Sequence, residues 1–204
     1  MTATHIAEDF APDGRLDDPP WQNAAPESIE YSLRQVDAVP ALSTTVRALW
    51  SDKYLYLAYE APYTKLTMSP TPQRDERIGL WDDDVVEAFI APNPQQPGDY
   101  REMEWAPNGE FLDLSVNPTT KDFAWQSEME SAVQIDEAAG VWRVEVRIPF
   151  ATLSARVPQV AERWRCNLYR HDVAHHVFLA WNPTLTPTAH TPAQFGWLEF
   201  AKSP

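Results

Sequence analysis

Apolar and polar side chains alternate along this chain in short runs, and turn residues separate the runs at close intervals. Residues 54–59 read Tyr-Leu-Tyr-Leu-Ala-Tyr and form the most strand-like stretch, because aromatic side chains favour a pleated, half-buried surface. With residues 44–50 before it, across Ser51-Asp52, this run predicts a hairpin, although the connection lacks the preferred glycine. Over 141–148, Trp142, Val144, Val146 and Ile148 alternate with Arg143, Glu145 and Arg147. One face of that strand is expected in the core and the other in water. Further strands are predicted over 84–91, 100–105, 111–116, 132–136, 163–171, 177–181 and 196–200, with a single helical turn over 149–154. Asn93-Pro94, Pro97-Gly98, Pro107-Asn108-Gly109 and Ala139-Gly140 punctuate them as turns. The result is an antiparallel meander of about ten strands. Residues 1–20 are polar, with turns at Asp13-Gly14 and Asp17-Asp18-Pro19-Pro20, and read as a lead-in to a body that begins at Trp21.

One strand departs from plain alternation. In Trp81-Asp82-Asp83-Asp84-Val85-Val86-Glu87-Ala88-Phe89-Ile90, Val85, Glu87 and Phe89 share one face while Val86, Ala88 and Ile90 share the other. Glu87 therefore either faces water or lines a site. Glu102 and Glu104 lie together opposite Met103 and Trp105, and Arg165, Asn167 and Tyr169 lie together opposite Trp164, Cys166 and Leu168. If these polar faces converge, they offer acceptors and donors to a polyhydroxylated ligand. A tryptophan beside a sheet-borne acid suits a sugar, whose ring faces carry C–H groups and whose edges carry hydroxyls. Trp81 is the candidate platform. Trp50, Trp105, Trp142, Trp164 and Trp197 are expected in the core, while the pattern leaves Trp21, Trp125 and Trp181 unassigned. The polar stretch over 64–77 is long for a connection, which marks a functional loop.

Composition narrows the class. Residues 1–204 suit a single domain, long enough to bury roughly 70% of its unfolded surface. Nineteen prolines against six glycines, with nine tryptophans and seven tyrosines, argue for an all-β chain rather than a helical bundle. The net charge of −14 repels phosphate backbones and anionic lipid, so no nucleic acid and no membrane is expected as a partner. Cys166 is the one cysteine, which excludes an internal disulfide and a thiolate zinc site, and its apolar neighbours predict a buried thiol. The first ten residues lack the basic head and apolar run of a signal peptide. As written the chain reads as cytoplasmic, or as extracellular or periplasmic if a leader has been removed.

Three other chemistries have candidate residues. Glu87, with Glu102 or Glu104, could supply the two carboxyls of a glycoside hydrolase, whose separation the sequence does not state. His171, His175, His176 and His190 cluster late in the chain, and two of them with Met68 or Met103 would suit a metal or haem, but their spacing matches no motif. His175-His176 reads as a turn pair. Asp82-Asp83-Asp84 lacks the interleaved ligands and glycine of an EF-hand loop and reads as solvated acids at the start of a strand. Neither a nucleophile elbow nor a glycine-rich phosphate loop occurs.

The ordered series Asp13-Gly14-Arg15-Leu16-Asp17-Asp18, Ala48-Leu49-Trp50-Ser51-Asp52-Lys53-Tyr54-Leu55-Tyr56, Trp81 to Ile90, Tyr100-Arg101-Glu102-Met103-Glu104, Trp142 to Phe150, Asn167-Leu168-Tyr169-Arg170 and Pro192 to Phe200 resembles the family 9 carbohydrate-binding modules over nearly the whole chain. The resemblance implies an immunoglobulin-like antiparallel β-sandwich. It also implies non-catalytic binding of the end of a glucan or xylan chain, an oligosaccharide or polysaccharide, in the service of carbohydrate catabolism. No cofactor is implied beyond structural calcium, and no oligomeric state. Ligand-binding positions carry over to Trp81 as the first stacking ring and Glu87 as an acceptor. Glu104 stands where the family has an arginine, Tyr169 where it has a glutamine and His190 where it has the second stacking tryptophan, with Asn167 beside them. These departures put glucan specificity in question, and Glu104 with Arg165 or Arg170 could recognise a charged ligand instead.

Overall fold

In the computed structural model of the chain, the described residues are 1–34, 38–72 and 76–203, so positions 73–75 of the 64–77 loop lie outside them. In chain order the strands are β1 (Thr2–His5), β2 (Glu27–Ile29), β3 (Tyr31–Ser32), β4 (Thr44–Trp50), β5 (Tyr54–Pro62), β6 (Val85–Ala91) and β7 (Tyr100–Trp105). They continue with β8 (Phe111–Val116), β9 (Lys121–Asp122), β10 (Glu130–Asp136), β11 (Val141–Pro149), β12 (Arg163–Asp172), β13 (Val177–Ala180) and β14 (Gly196–Ala201). One helical turn, α1 (Phe150–Leu153), follows β11 as expected. The described residues thus form fourteen strands rather than about ten. The additional ones, β1, β2, β3 and β9, have two to four residues each, too few for a period-two signal.

The strands form one ladder, β10-β11-β5-β4-β1-β14-β12-β6-β7-β8-β9, that folds back on itself into two layers. Alternate residues of both halves meet inside: Leu55, Leu57 and Tyr59 of β5 and Trp142 to Ile148 of β11 from one layer, Val86, Ala88 and Ile90 of β6 and Trp164, Cys166 and Leu168 of β12 from the other. The Tyr59 hydroxyl crosses the core to the Glu87 carbonyl at 3.3 Å. The architecture is an all-β sandwich, antiparallel throughout except at β1. That strand pairs in parallel with both β4 and β14 and joins the layers at their shared seam. The polar lead-in therefore begins with a strand inside the sheet. Its Ala3 is fully buried, and a four-residue strand flanked by turns carries too little pattern to be read.

Both outer faces are covered. Over the first layer, residues 6–24 lay Ile6, Trp21 and Ala24 against Leu49, Tyr56 and Ala58. The expected wet face of β11 is accordingly dry at Glu145, which accepts from the backbone N–H groups of Asp13 and Gly14 at 2.7 and 2.9 Å and from Trp21 Nε1 at 2.7 Å. Gly14 has φ +80° and would set a Cβ 3.1 Å from Gln134, so this turn needs glycine. Over the second layer, Leu33, Ala189 and Phe195 cover Phe89, Tyr100 and Tyr169. A cleft remains open in this second cover.

Candidate functional site: an acidic cleft on the outer face of β6 and β7

The cleft, about 350 Å³, sits where β6 and β7 run side by side. Register puts Glu87 directly opposite Glu104, and Phe89 opposite Glu102, while Tyr169 flanks Glu87 from β12. Opposed residues have Cβ atoms about 5 Å apart, so the three carboxyls form one floor. Glu87, Glu102 and Glu104 are 2%, 3% and 1% exposed. Glu102 was visible as the same-face neighbour of Glu104, and the structure adds it to the cleft.

Trp81 stands at the β6 end of this floor, 39% exposed. A single 3₁₀ turn, Leu80–Asp82, carries it, started by Gly79 at φ +91°, a backbone conformation that suits glycine. Leu80 is fully buried and anchors the turn, and His171 Nδ1 holds the Trp81 carbonyl at 2.9 Å. Of the acidic triplet expected in solvent, Asp82 is exposed and the other two are not. Asp84 is fully buried and accepts from the backbone N–H groups of Thr67 and Val173; Asp83 accepts from Ser69 N and pairs with Arg77. These bonds tie the 64–72 segment to the turn. They are long-range contacts that no local pattern announces.

His190 reaches the cleft from the loop between β13 and β14. Its ring stacks on Phe89, with centroids 5.4 Å apart and planes at 21°. Lys121 Nζ donates to Nε2 at 2.8 Å, which leaves the ring proton on Nδ1, 2.7 Å from the Tyr100 hydroxyl. Burial and the Lys121 charge push the imidazole down to about 4, so it stays neutral. Lys121 and Phe89 were not read as site residues. Lys121 lies in the two-residue β9, where a lysine gives no signal of a site.

Asn167 and Tyr169 are fully buried and hold the cover rather than line the cleft. Asn167 Nδ2 donates to Tyr169 Oη and to the Asn182 carbonyl, and its Oδ1 accepts from the N–H groups of Leu168 and Asn182. Tyr169 Oη donates to the Ala189 carbonyl at 2.8 Å, which fixes the residue just before His190. Their hydrogen-bonding atoms are already engaged, so direct contact with a ligand is not what this geometry offers. Arg165 and Arg170 also lie elsewhere. Arg165 donates to the Ala193 carbonyl and stacks over Trp197, whereas Arg170 is buried on the core face with Asp172 at 3.1 Å. Trp197 is 38% exposed, flanked by Arg163 and Arg165, and not in the core. Trp21 is buried, and Trp125 and Trp181 pack partly buried against the core.

Electrostatics single out the floor. Burial, and then the charges of Glu104 and Glu102, hold Glu87 well above the usual carboxylate range. Burial pushes Glu104 up to about 8, with Glu102 adding to it, and Glu102 up to about 7. Lys121 opposes all three shifts without cancelling them. Among the described residues, the Oε2 atoms of Glu102 and Glu104 have no hydrogen-bond partner. A larger depression, about 690 Å³, lies against residues 92–94 and 153–164, but its charged Arg156 and Glu162 pair with each other at 2.7 Å.

The other expected chemistries find little support in this geometry. Met103 lies in the core, on the opposite face of β7 from the carboxyls, and His175 bonds Asp172 within the turn. Cys166 is a buried thiol pushed up to about 12 by burial. Among the described residues, the carboxylate oxygens of Asp13, Asp17 and Asp18 come within 4.8 Å of one another. They are oxygen donors of the kind a hard cation takes, and Arg15 already pairs with Asp13 at 3.4 Å.

Residues 13–202 match the family described as carbohydrate family 9 binding domain-like. The chain belongs to that family. An extracellular protein of Arthroderma benhamiae is 28% identical over 89% of this chain and 87% of its own length. A Bacteroides uniformis protein described as carbohydrate-binding superposes with a TM-score of 0.78 at 17% identity, covering 98% of each chain. A family 9 module from Caldicellulosiruptor kristjanssonii, solved with glucose, gives 0.72 at 15% identity over 100% of this chain and 97% of that one. The same organism's module with cellotriose gives 0.71 at 17% identity over 100% and 95%. At these identities the structural likeness bears on the fold, which is the β-sandwich described above.

Proposed function

We propose that this family 9 domain binds the end of an oligosaccharide in the cleft without cleaving it. The observation that carries the reading is one exposed tryptophan, Trp81, beside a floor of buried carboxyls. A pyranose laid against the indole gains apolar contact on its face, while Glu87 and Glu104 bond its hydroxyls from the edge. Phe89 with His190 forms the second surface, smaller than a second tryptophan. Family membership supports sugar binding, the modules solved with glucose and cellotriose support a glucan as the neutral ligand, and a xylan end is the alternative to test beside it. The Arthroderma benhamiae relative is an extracellular protein, and an extracellular setting in carbohydrate breakdown suits this role.

A glycoside hydrolase needs its two carboxyls to flank the scissile bond. Glu87 and Glu104 project side by side from one face of adjacent strands, with Cβ atoms about 5 Å apart, a spacing open to a retaining pair, and it is the family membership that favours binding over cleavage. Turnover of an aryl glycoside by the purified protein would reverse that preference.

Calorimetric titration with glucose, cellobiose, xylobiose and galacturonic acid tests the binding reading in wild type and Trp81→Ala. Saturable heat is expected with wild type, and affinity at least about tenfold lower in the variant. The melting temperature should hardly move, because Trp81 is exposed and exposed substitutions typically change stability by about 0.5 kcal/mol or less. A large fall in stability would make Trp81 a packing residue and remove it from the site.

A further inference from the structure

The cleft floor holds more acid than a neutral sugar requires. Glu87, Glu102 and Glu104 sit on adjacent positions of one sheet face, each almost fully buried, and two of their oxygens have no donor. A buried acceptor left without a donor costs about 1–3 kcal/mol, so the floor favours a ligand rich in N–H or O–H groups. A sugar hydroxyl brings one donor and no charge, so it does nothing to relieve the repulsion among carboxylates set side by side. A primary ammonium brings three donors, no acceptor and a positive charge. Lys121 lines the same cleft and acts on all three carboxyls from its rim, but it is exposed and donates to His190 rather than to a carboxyl.

We infer that the cleft selects a sugar bearing a protonated primary amine, a 2-amino-2-deoxyhexose end, with the ammonium seated among Glu87, Glu102 and Glu104. This rests on the cleft being the sugar site, and it names which sugars the site prefers. Trp81 remains the platform. The other titratable groups acting on the floor are Lys121, Arg77, Asp82, Tyr100, Tyr169 and His190. Burial raises all three carboxyls, and neighbouring carboxylates add to the rise at Glu87 and Glu104, so the floor by itself holds protons at neutral pH. An arriving cation favours their ionised forms, so binding releases protons to the buffer. N-acetylation removes the charge and two of the three donors, and should abolish the preference.

Calorimetry at neutral pH compares glucosamine, glucose and N-acetylglucosamine, each in two buffers of different ionisation heat. Glucosamine is expected to bind at least about tenfold tighter than the other two, and its heat alone should depend on the buffer. Glu104→Gln, with folding checked by its melting curve, should shrink that preference to under about threefold. Equal or tighter binding of glucose or N-acetylglucosamine would overturn the amine preference and leave the sugar site standing. So would a preference that survives in Glu104→Gln, or a glucosamine heat that is the same in both buffers. No binding by any of these sugars, nor by cellobiose or xylobiose, would overturn both.

Discussion

On the outer face of the first layer, Glu145 is fully buried and its two oxygens take three N–H donors, two from the 13–14 turn and one from Trp21. On the outer face of the second layer, Glu102 and Glu104 are buried to nearly the same degree and each has an oxygen with no partner. The residue type, the secondary structure and the burial are alike, and the donors differ. A buried carboxylate with its donors in place closes the structure around itself. One without them shifts upward in pKa and leaves a demand that a ligand can meet. The first glutamate holds residues 6–24 onto the sheet, while the second group stays open to the cleft.

Removing the satisfied carboxylate is expected to have the largest effect. Glu145→Ala strands its three donors, two on a turn built around Gly14, and should cost about 3–5 kcal/mol in chemical denaturation. Glu145→Gln, which keeps the shape and loses the charge, should cost less.

The cleft carboxyls should behave in the opposite way. The folded-state values of Glu102 and Glu104, about 7 and about 8, lie above the ordinary 4.5. Between the unfolded and folded values the folded protein holds the extra protons. The floor's contribution to stability is therefore complete below about pH 4.5 and is lost as pH rises through 7 to 8. Glu104→Gln should match wild type near pH 4.5 and become the more stable form, by about 1–3 kcal/mol, once pH exceeds 8. A stability difference that does not change with pH would remove the distinction between the two faces.

His190→Ala should have the smallest effect of the three. It deletes one stacked ring and two hydrogen bonds at a partly exposed position, for about 0.5–1.5 kcal/mol of stability and about a fivefold weaker sugar affinity. A larger loss of affinity than in Trp81→Ala would make the Phe89–His190 surface the main platform.

Much of the second face was legible. Period-two alternation placed Glu87 and Phe89 on one side of β6 and Glu102 and Glu104 on one side of β7, and Trp81 stood next to them in the chain. Asn167 and Tyr169 were read onto the correct face of β12, yet their polar atoms serve the cover. Which face a side chain occupies follows from local alternation, whereas what it bonds follows from loops that arrive from far along the chain. Trp197 shows the converse: its strand was read correctly, but it lies at the surface on the face opposite Leu198 and Phe200, with the Arg163 and Arg165 guanidinium groups over its ring.

By itself the sequence determined the all-β class, ten of the strands, the core stripe of β6, β11 and β12 and the pairing of a tryptophan with sheet-borne acids, because these depend on neighbours a few residues apart. The tertiary structure alone decided that β1 seals the seam in parallel, that Glu145 is dry and satisfied, and that Glu87, Glu102 and Glu104 share one floor without donors. The first two join segments more than a hundred residues apart, as when β1 meets β14 or residues 13–21 reach Glu145, and alternation along one strand carries no record of what will cover it.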